Sequence, residues 1–232
     1  TPKTSSAASD VYKRQTHYFW LMPNSKKSTI TSEIVRKCGR TIVFCRTRAG
    51  ADRVGDDLTH DGLAAQVLHG GLSQKQRDRA MARFQHGECM ALIATDVAAR
   101  GIDVEGVNCV IHYDPPENGK AYKHRSGRTA RGGSSGIIIS LIQKPQRKTV
   151  SKIQREVGIN VEFTPPDFAQ LPEFEVEFIG APRRRSFGSR NRNESSRKHY
   201  GNRNRPQSRK SGGGRGPKPE HKTVGKRAYN KK

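Results

Sequence analysis

The chain has 232 residues, a formal net charge of +23 and a mean hydropathy of −0.85, enough length for one ordinary domain with extensions and barely enough for two. No run approaches the ~20 apolar residues of a membrane-spanning helix, and residues 1–15 lack the apolar stretch of a secretory signal, so no membrane partner is expected. Cys38, Cys45, Cys89 and Cys109 lie far apart with no Cys-x-x-Cys pair, which speaks against a metal site and for buried thiols in a reducing cytoplasm.

In chain order, residues 1–15 match neither of the segments that follow. They read as a non-native or linker-like stretch, so the chain is expected to begin mid-protein. Ser25 through Lys37 reads as a first helix. Strand-like apolar runs follow at Thr41–Cys45, Ala65–Leu68, Met90–Ala94, Val107–His112 and Gly136–Leu141. Between them lie helical patterns at Ala49–Leu58, Gln74–Phe84, Asp96–Arg100 and Lys120–Arg131, and Pro145–Val157 forms a last helix that Gly158 stops. Ser73 and Gln76 have capping-box spacing, and Ala80, Met81 and Phe84 form the apolar stripe behind them. Strands alternating with helices at this spacing predict an α/β domain with a mostly parallel sheet over residues 16–179.

From Gly180 onward the composition changes. Residues 180–232 carry 18 Lys and Arg against two acids, so +16 of the chain's +23 sits there; the 179 residues before them carry 26 against 19. Rich in Gly, Asn, Ser and Pro and poor in apolar residues, this tail cannot offset its ordering entropy and is expected to be disordered. With Phe187, Tyr200 and Tyr229 scattered through it, the tail reads as a sequence-tolerant nucleic-acid-binding arm whose grip falls steeply with salt. A merely solubilising extension is the other reading.

Two segments carry chemistry. Ala121–Arg131 reads Ala-Tyr-Lys-His-Arg-Ser-Gly-Arg-Thr-Ala-Arg. On a continuous helix, His124, Arg128 and Arg131 share an arc of about 60°. Two guanidinium forks on one edge suit a polyphosphate, because each holds phosphate oxygens bidentately and neither loses its proton. Upstream, Ala94-Thr95-Asp96-Val97-Ala98-Ala99-Arg100-Gly101-Ile102-Asp103 follows a buried strand. Thr95 and Asp96 there either cap a short helix closed by Gly101, or present polar groups at the strand's C-terminal end, where open α/β sheets bind ligands.

Together these segments resemble the second of the two RecA-like domains of the DEAD-box family of ATP-dependent RNA helicases, within superfamily 2. The resemblance runs from about Thr41 to Ile142. Ile42–Thr47 looks like the family's motif IV, Gln74-Lys75-Gln76-Arg77 like its Gln-x-x-Arg motif, Ala94–Asp103 like motif V and His124–Arg131 like motif VI. Ser126 and Ala130 stand where Ile and Gly are commoner. The resemblance implies a RecA-like fold. It implies an ATP site drawing on Gly101, Asp103, His124, Arg128 and Arg131, with Arg128 and Arg131 as catalytic arginine fingers and Asp103 at the ribose. It also implies RNA-backbone contacts from Thr47, Gly70, Gln74, Arg77 and Thr95. His69 fits either a family loop beside that RNA face or a plain turn histidine.

No phosphate loop and no Asp-Glu-Ala-Asp run occurs. In the family both lie on the first RecA-like domain, so that domain is the expected partner, the expected source of the Mg2+ ligands for ATP, and the reason this chain alone is expected to be inactive. RNA, as single strand and duplex, is the expected substrate for ATP-driven local unwinding. A DNA helicase or translocase of the same superfamily, and a non-enzymatic RNA-binding or annealing module, are the competing readings. The whole reading needs the two guanidinium groups at the sheet's ligand-binding rim. Turned away from it, or locked in salt bridges with acidic neighbours, they overturn it.

Overall fold

Four stretches of the chain (Thr41–Cys45, Ala91–Thr95, Cys109–His112 and Gly136–Ile142) are buried at every residue. Strands apolar on both sides fit only the middle of a parallel sheet with helices on each face. The computed structural model describes residues 14–172 and 174, and there it has this arrangement. Strands β1 (Gln15–Leu21), β2 (Thr41–Cys45), β3 (Ala65–Leu68), β4 (Ala91–Thr95), β5 (Cys109–His112), β6 (Gly136–Ile142) and β7 (Phe163–Thr164) form one sheet in the order β3-β4-β2-β5-β6-β1-β7. Every neighbouring pair is parallel.

Helices α1 (Lys27–Cys38) and α2 (Arg48–His60) cover one face over Ile34, Val35, Val43, Val54, Leu58 and Ile93. Helices α3 (Gln74–Gln85), α4 (Gly119–Ser126) and α5 (Arg147–Val157) cover the other over Phe44, Phe84, Leu92, Tyr122, Ile138 and Ile153. Three helices begin at side-chain caps. Thr47 accepts from the Gly50 amide at 3.0 Å, Asn118 accepts from that of Ala121 at 2.9 Å, and Ser73 and Gln76 form the predicted capping box. Gly158 closes α5 in the left-handed region at φ 78°. Lys27, fully buried at the start of α1, donates to the Tyr113 carbonyl at 2.6 Å; burial pulls its pKa below the usual lysine range, with Asp114 opposing.

The α/β, RecA-like parallel sheet expected from the sequence is present, with three differences. First, β1 and β7 are additional strands. β1 pairs with β6 over seven residues and begins at Gln15, whose buried side-chain amide donates to the Ser126 carbonyl at 2.9 Å. Gln15 therefore belongs to the sheet and not to the segment set aside ahead of it. Second, Asp96–Arg100 is a run of turns, not a helix: the Ala98 and Ala99 amides both return to the Thr95 carbonyl, and Gly101 at φ 79° ends the run. Third, the helix expected over Lys120–Arg131 stops at Ser126. The tail expected at 180–232 and residues 1–13 lie outside the described residues.

The reason α4 stops is tertiary. After Gly127, Thr129 turns inward and donates to the Val107 carbonyl, and Ala130 takes a left-handed φ of 59° while fully buried. Gly136 at the head of β6 makes room for that turn. A Cβ there would overlap Thr129 Oγ1 and sit 2.8 Å from the Ala130 amide nitrogen. Gly136→Ala is expected to destabilise the domain by about 1–3 kcal/mol, with a thermal midpoint several degrees lower; an unchanged midpoint would show that the turn yields freely. All four cysteines are buried and unpaired, and burial pushes the Cys45 and Cys89 thiols up to about 12.

Candidate functional site

The C-terminal ends of β3, β4 and β2 lie side by side, and the chain leaves them through Gly70, Thr95 and Thr47. Adjacent strands are about 4.8 Å apart, so three residues far apart in sequence line up along one rim. Thr47 and Gly70 are exposed, and Thr95 is mostly buried. Gln74 and Arg77 sit in the first turn of α3 beside them. Gln74 donates to Asp78 at 2.7 Å, while Arg77 Nε is buried and has no hydrogen-bond partner among the described residues. A basic side chain and the free amides of a helix start both favour an anion there. His69 is buried; its Nδ1 accepts from the Gly71 amide at 3.0 Å and its Nε2 faces Asp52 at 2.8 Å. The proton therefore sits on Nε2, and the imidazole serves as the turn residue that shapes Gly70–Gly71.

A cleft of about 660 Å³ opens between the 96–101 turns and α4. Lys120, His124 and Arg128 line one wall, four residues apart along the helix direction, and Gly101, Arg100 and Asp96 line the other. Arg128 reaches over to the Ile102 carbonyl and is braced by the His124 carbonyl at 3.3 Å. Burial, then the Arg131 cation, pull its pKa below the usual arginine range, with Asp103 opposing; a guanidinium stays charged throughout.

Of the five residues expected at a nucleotide, the cleft gathers Gly101, His124 and Arg128. Asp103 and Arg131 are bonded to each other just outside it, and Asp103 lines an adjoining hollow with Arg40 and Glu105. The shared helical arc of the three basic residues is thus corrected, because Arg131 lies beyond the end of α4 on the Gly127–Gly133 turns. Arg131 is also held by an acid, the outcome that counted against the nucleotide reading. The pair is weak: the Asp103 side chain is 88% exposed, and such surface pairs contribute about 0–1 kcal/mol. A polyphosphate can take Arg131 at little cost.

The strongest ion pair at the site was not singled out from the sequence. Arg125, 2% exposed, grips Asp96 with both forks (Nε to Oδ1 and Nη2 to Oδ2, each 2.6 Å), donates to the Asp114 carbonyl at 2.7 Å and lies 5.2 Å over the Phe44 ring. Asp96 is therefore spent on Arg125 and does not cap the turns after it. Lys120 was likewise missed; only its spacing of four from His124 hinted at it.

Comparison with known proteins gives the family and the fold. A family model described as the helicase conserved C-terminal domain matches residues 25–133. The chain is 40% identical over 162 residues to a chloroplastic DEAD-box ATP-dependent RNA helicase 3B of Zea mays, covering 68% of this chain and 22% of that protein. It is 34% identical over 158 residues to the ATP-dependent RNA helicase DbpA of Bacillus subtilis, covering 68% of this chain and 33% of that one. Among solved structures, the E. coli DEAD-box protein SrmB, bound to the regulator of ribonuclease activity A, superposes with a TM-score of 0.61 at 30% identity, over 70% of this chain and 96% of that one. S. cerevisiae Dbp5 bound to RNA and ADP BeF3 superposes with a TM-score of 0.58 at 31% identity, over 65% and 41%. The chain thus spans about a fifth to a third of these curated relatives.

Proposed function

The chain belongs to the DEAD-box helicases through their conserved C-terminal domain, and we propose that it is the half of an ATP-dependent RNA helicase that closes over nucleotide and RNA together. The observation that carries this is one rim with two adjoining surfaces. The Thr47, Gly70, Thr95 and Arg77 edge suits a sugar–phosphate backbone, and a cationic cleft a few residues further along the same loops suits a polyphosphate.

The donor set fits ATP. Lys120, His124 and Arg128 supply positive charge and N–H donors, Arg131 stands beside them, and the exposed Asp103 carboxylate is a ready acceptor for ribose hydroxyls. When bound, ATP supplies the phosphoryl bond whose cleavage resets the clamp. The partner ATP-binding domain would hold its Mg2+. Arg128 and Arg131 reach the terminal phosphate across the gap and stabilise the charge that develops there. Thr47, Gly70, Gln74, Arg77 and Thr95 hold one RNA strand by its backbone, which positions it without reading bases. Closure on both ligands at once bends that strand away from its duplex partner. The basic residues of 180–232 add phosphate contacts that weaken with salt. Four buried, unpaired thiols suit a reducing compartment such as the cytoplasm.

The test is complementation. The chain alone is expected to hydrolyse ATP negligibly; adding the first RecA-like domain of a DEAD-box relative should restore hydrolysis that single-stranded RNA stimulates and single-stranded DNA does not. Full hydrolysis by the chain alone would overturn the proposal, and equal stimulation by DNA would favour a DNA translocase.

A further inference from the structure

We infer that Asp114 is a positioning residue that ties the Thr47 loop to the wall of the nucleotide cleft, so that the RNA edge and the cleft move as one unit. The inference rests on the function proposed above and concerns a residue outside the four sequence motifs.

Asp114 follows β5 and is bonded from both sides. Its Oδ2 accepts from the Arg46 amide at 2.9 Å, and its backbone carbonyl accepts from Arg125 Nη1 at 2.7 Å. Arg46 is the first residue after β2, so this bond sets the direction in which the chain leaves the sheet and where Thr47 comes to lie. Arg125 is the residue after His124 on α4, and its other two nitrogens hold Asp96, the neighbour of Thr95. One buried guanidinium therefore holds the neighbours of both threonines of the RNA edge: the Asp96 side chain beside Thr95, and the backbone of Asp114, whose carboxylate in turn takes the Arg46 amide beside Thr47. The adjoining Tyr113 carbonyl is pinned from the opposite face of the sheet by Lys27 at 2.6 Å. With the loop backbone clamped between two buried cations, a shift of α4 is not absorbed locally and passes to Arg46. Buried hydrogen-bonded groups transmit displacement in this way because an intermediate position leaves a partner unsatisfied.

Amide hydrogen exchange and NMR on the chain test this. In Asp114→Ala, exchange at the Arg46 amide is expected to rise about tenfold or more while that of Ile139 in β6 stays unchanged. The oligouridylate concentration that half-saturates the Thr47 amide shift should rise about tenfold. Asp114→Asn keeps an acceptor oxygen and should stay within about twofold of the parent on both. Asp96→Asn, on the cleft side of Arg125, should also speed exchange at Arg46, and the double variant should exceed neither single change, as expected of one shared connection. If alanine also speeds exchange at Ile139, Asp114→Ser replaces it, since its hydroxyl falls one bond short of the Arg46 amide. Unchanged exchange at Arg46 in the alanine or serine variant, or additive effects in the double variant, would overturn the inference. Should oligouridylate leave Thr47 unshifted in the parent chain, the RNA reading fails instead, and the exchange data still decide the role of Asp114.

Discussion

Arg128→Ala and Arg131→Ala are each expected to lower RNA-stimulated ATP hydrolysis by about 10³-fold or more once the partner domain is supplied, the scale on which arginine fingers act. A loss of 10³ corresponds to about 4 kcal/mol of transition-state stabilisation. That is well above anything these side chains contribute to the fold. Arg131 spends one nitrogen on a surface pair with Asp103 and one on the Gly127 carbonyl, and Arg128 is only half-buried against the carbonyls of His124 and Ile102. Thermal midpoints should therefore move little while turnover collapses, and the Thr47 amide shift caused by RNA should be retained. Lysine should not rescue either position, because a point charge cannot reproduce the fork. The double variant should be little worse than the singles, since both act on one phosphate. If hydrolysis survives in both alanine variants, the domain is an RNA-binding or annealing module.

Asp103 gives the same argument a second handle. Bonded to Arg131, it keeps that guanidinium beside the cleft instead of loose in water. On the function proposed above, the acid that weighed against the nucleotide reading would hold the place a phosphate takes, and its 88% exposure would make that exchange cheap.

What was legible in the sequence was whatever depended on short range. The buried strands declared themselves by unbroken apolar runs, and Ser73 with Gln76 by spacing. Gly158 marked the end of α5 through the one conformation it alone adopts without strain. The end of α4 was not legible. Gly127 weakens a helix but does not stop it. What stops it is Thr129 reaching the Val107 carbonyl, 22 residues back, in a pocket that the missing side chain of Gly136 leaves open. The helical arc drawn through His124, Arg128 and Arg131 failed there. Arg125 and Asp96, 29 residues apart, were each visible as letters of a motif, yet their bond exists only once β4 and α4 are brought together. β1 was obscured because its first residue adjoined a segment unlike the rest of the chain. Only the seven-residue register against β6 shows that Gln15 belongs inside.

The buried histidines beneath α4 make the domain acid-sensitive. His112 is fully buried in β5, 4.7 Å from the Tyr122 ring, with Ser140 Oγ at 3.3 Å from its Nδ1. His17 in β1 meets the Tyr122 hydroxyl at 2.8 Å on the other side. Burial lowers the His17 pKa to about 4, and burial, then the Arg125 and His17 charges, hold His112 well below the usual imidazole value. Both are neutral in the folded chain near neutrality. Below about 6.5 the unfolded chain binds protons that the folded chain refuses, so stability falls as pH falls, from about 6.5 down to about 4 for His17, with His112 acting in the same direction. His17 costs about 1.4 kcal/mol per pH unit within that window, about 3 kcal/mol between pH 6.5 and 4.5, and His112 adds to the loss in the same direction. That is a large share of the 5–15 kcal/mol typical of a domain. Urea unfolding at pH 7, 6 and 5 should show midpoints dropping steadily, with a shallower slope in His17→Phe, which keeps a ring against Tyr122 and removes one titrating group. A midpoint constant from pH 7 to 5 would mean that protonated imidazoles find partners or water beneath α4, and that this part of the core is looser than its packing implies.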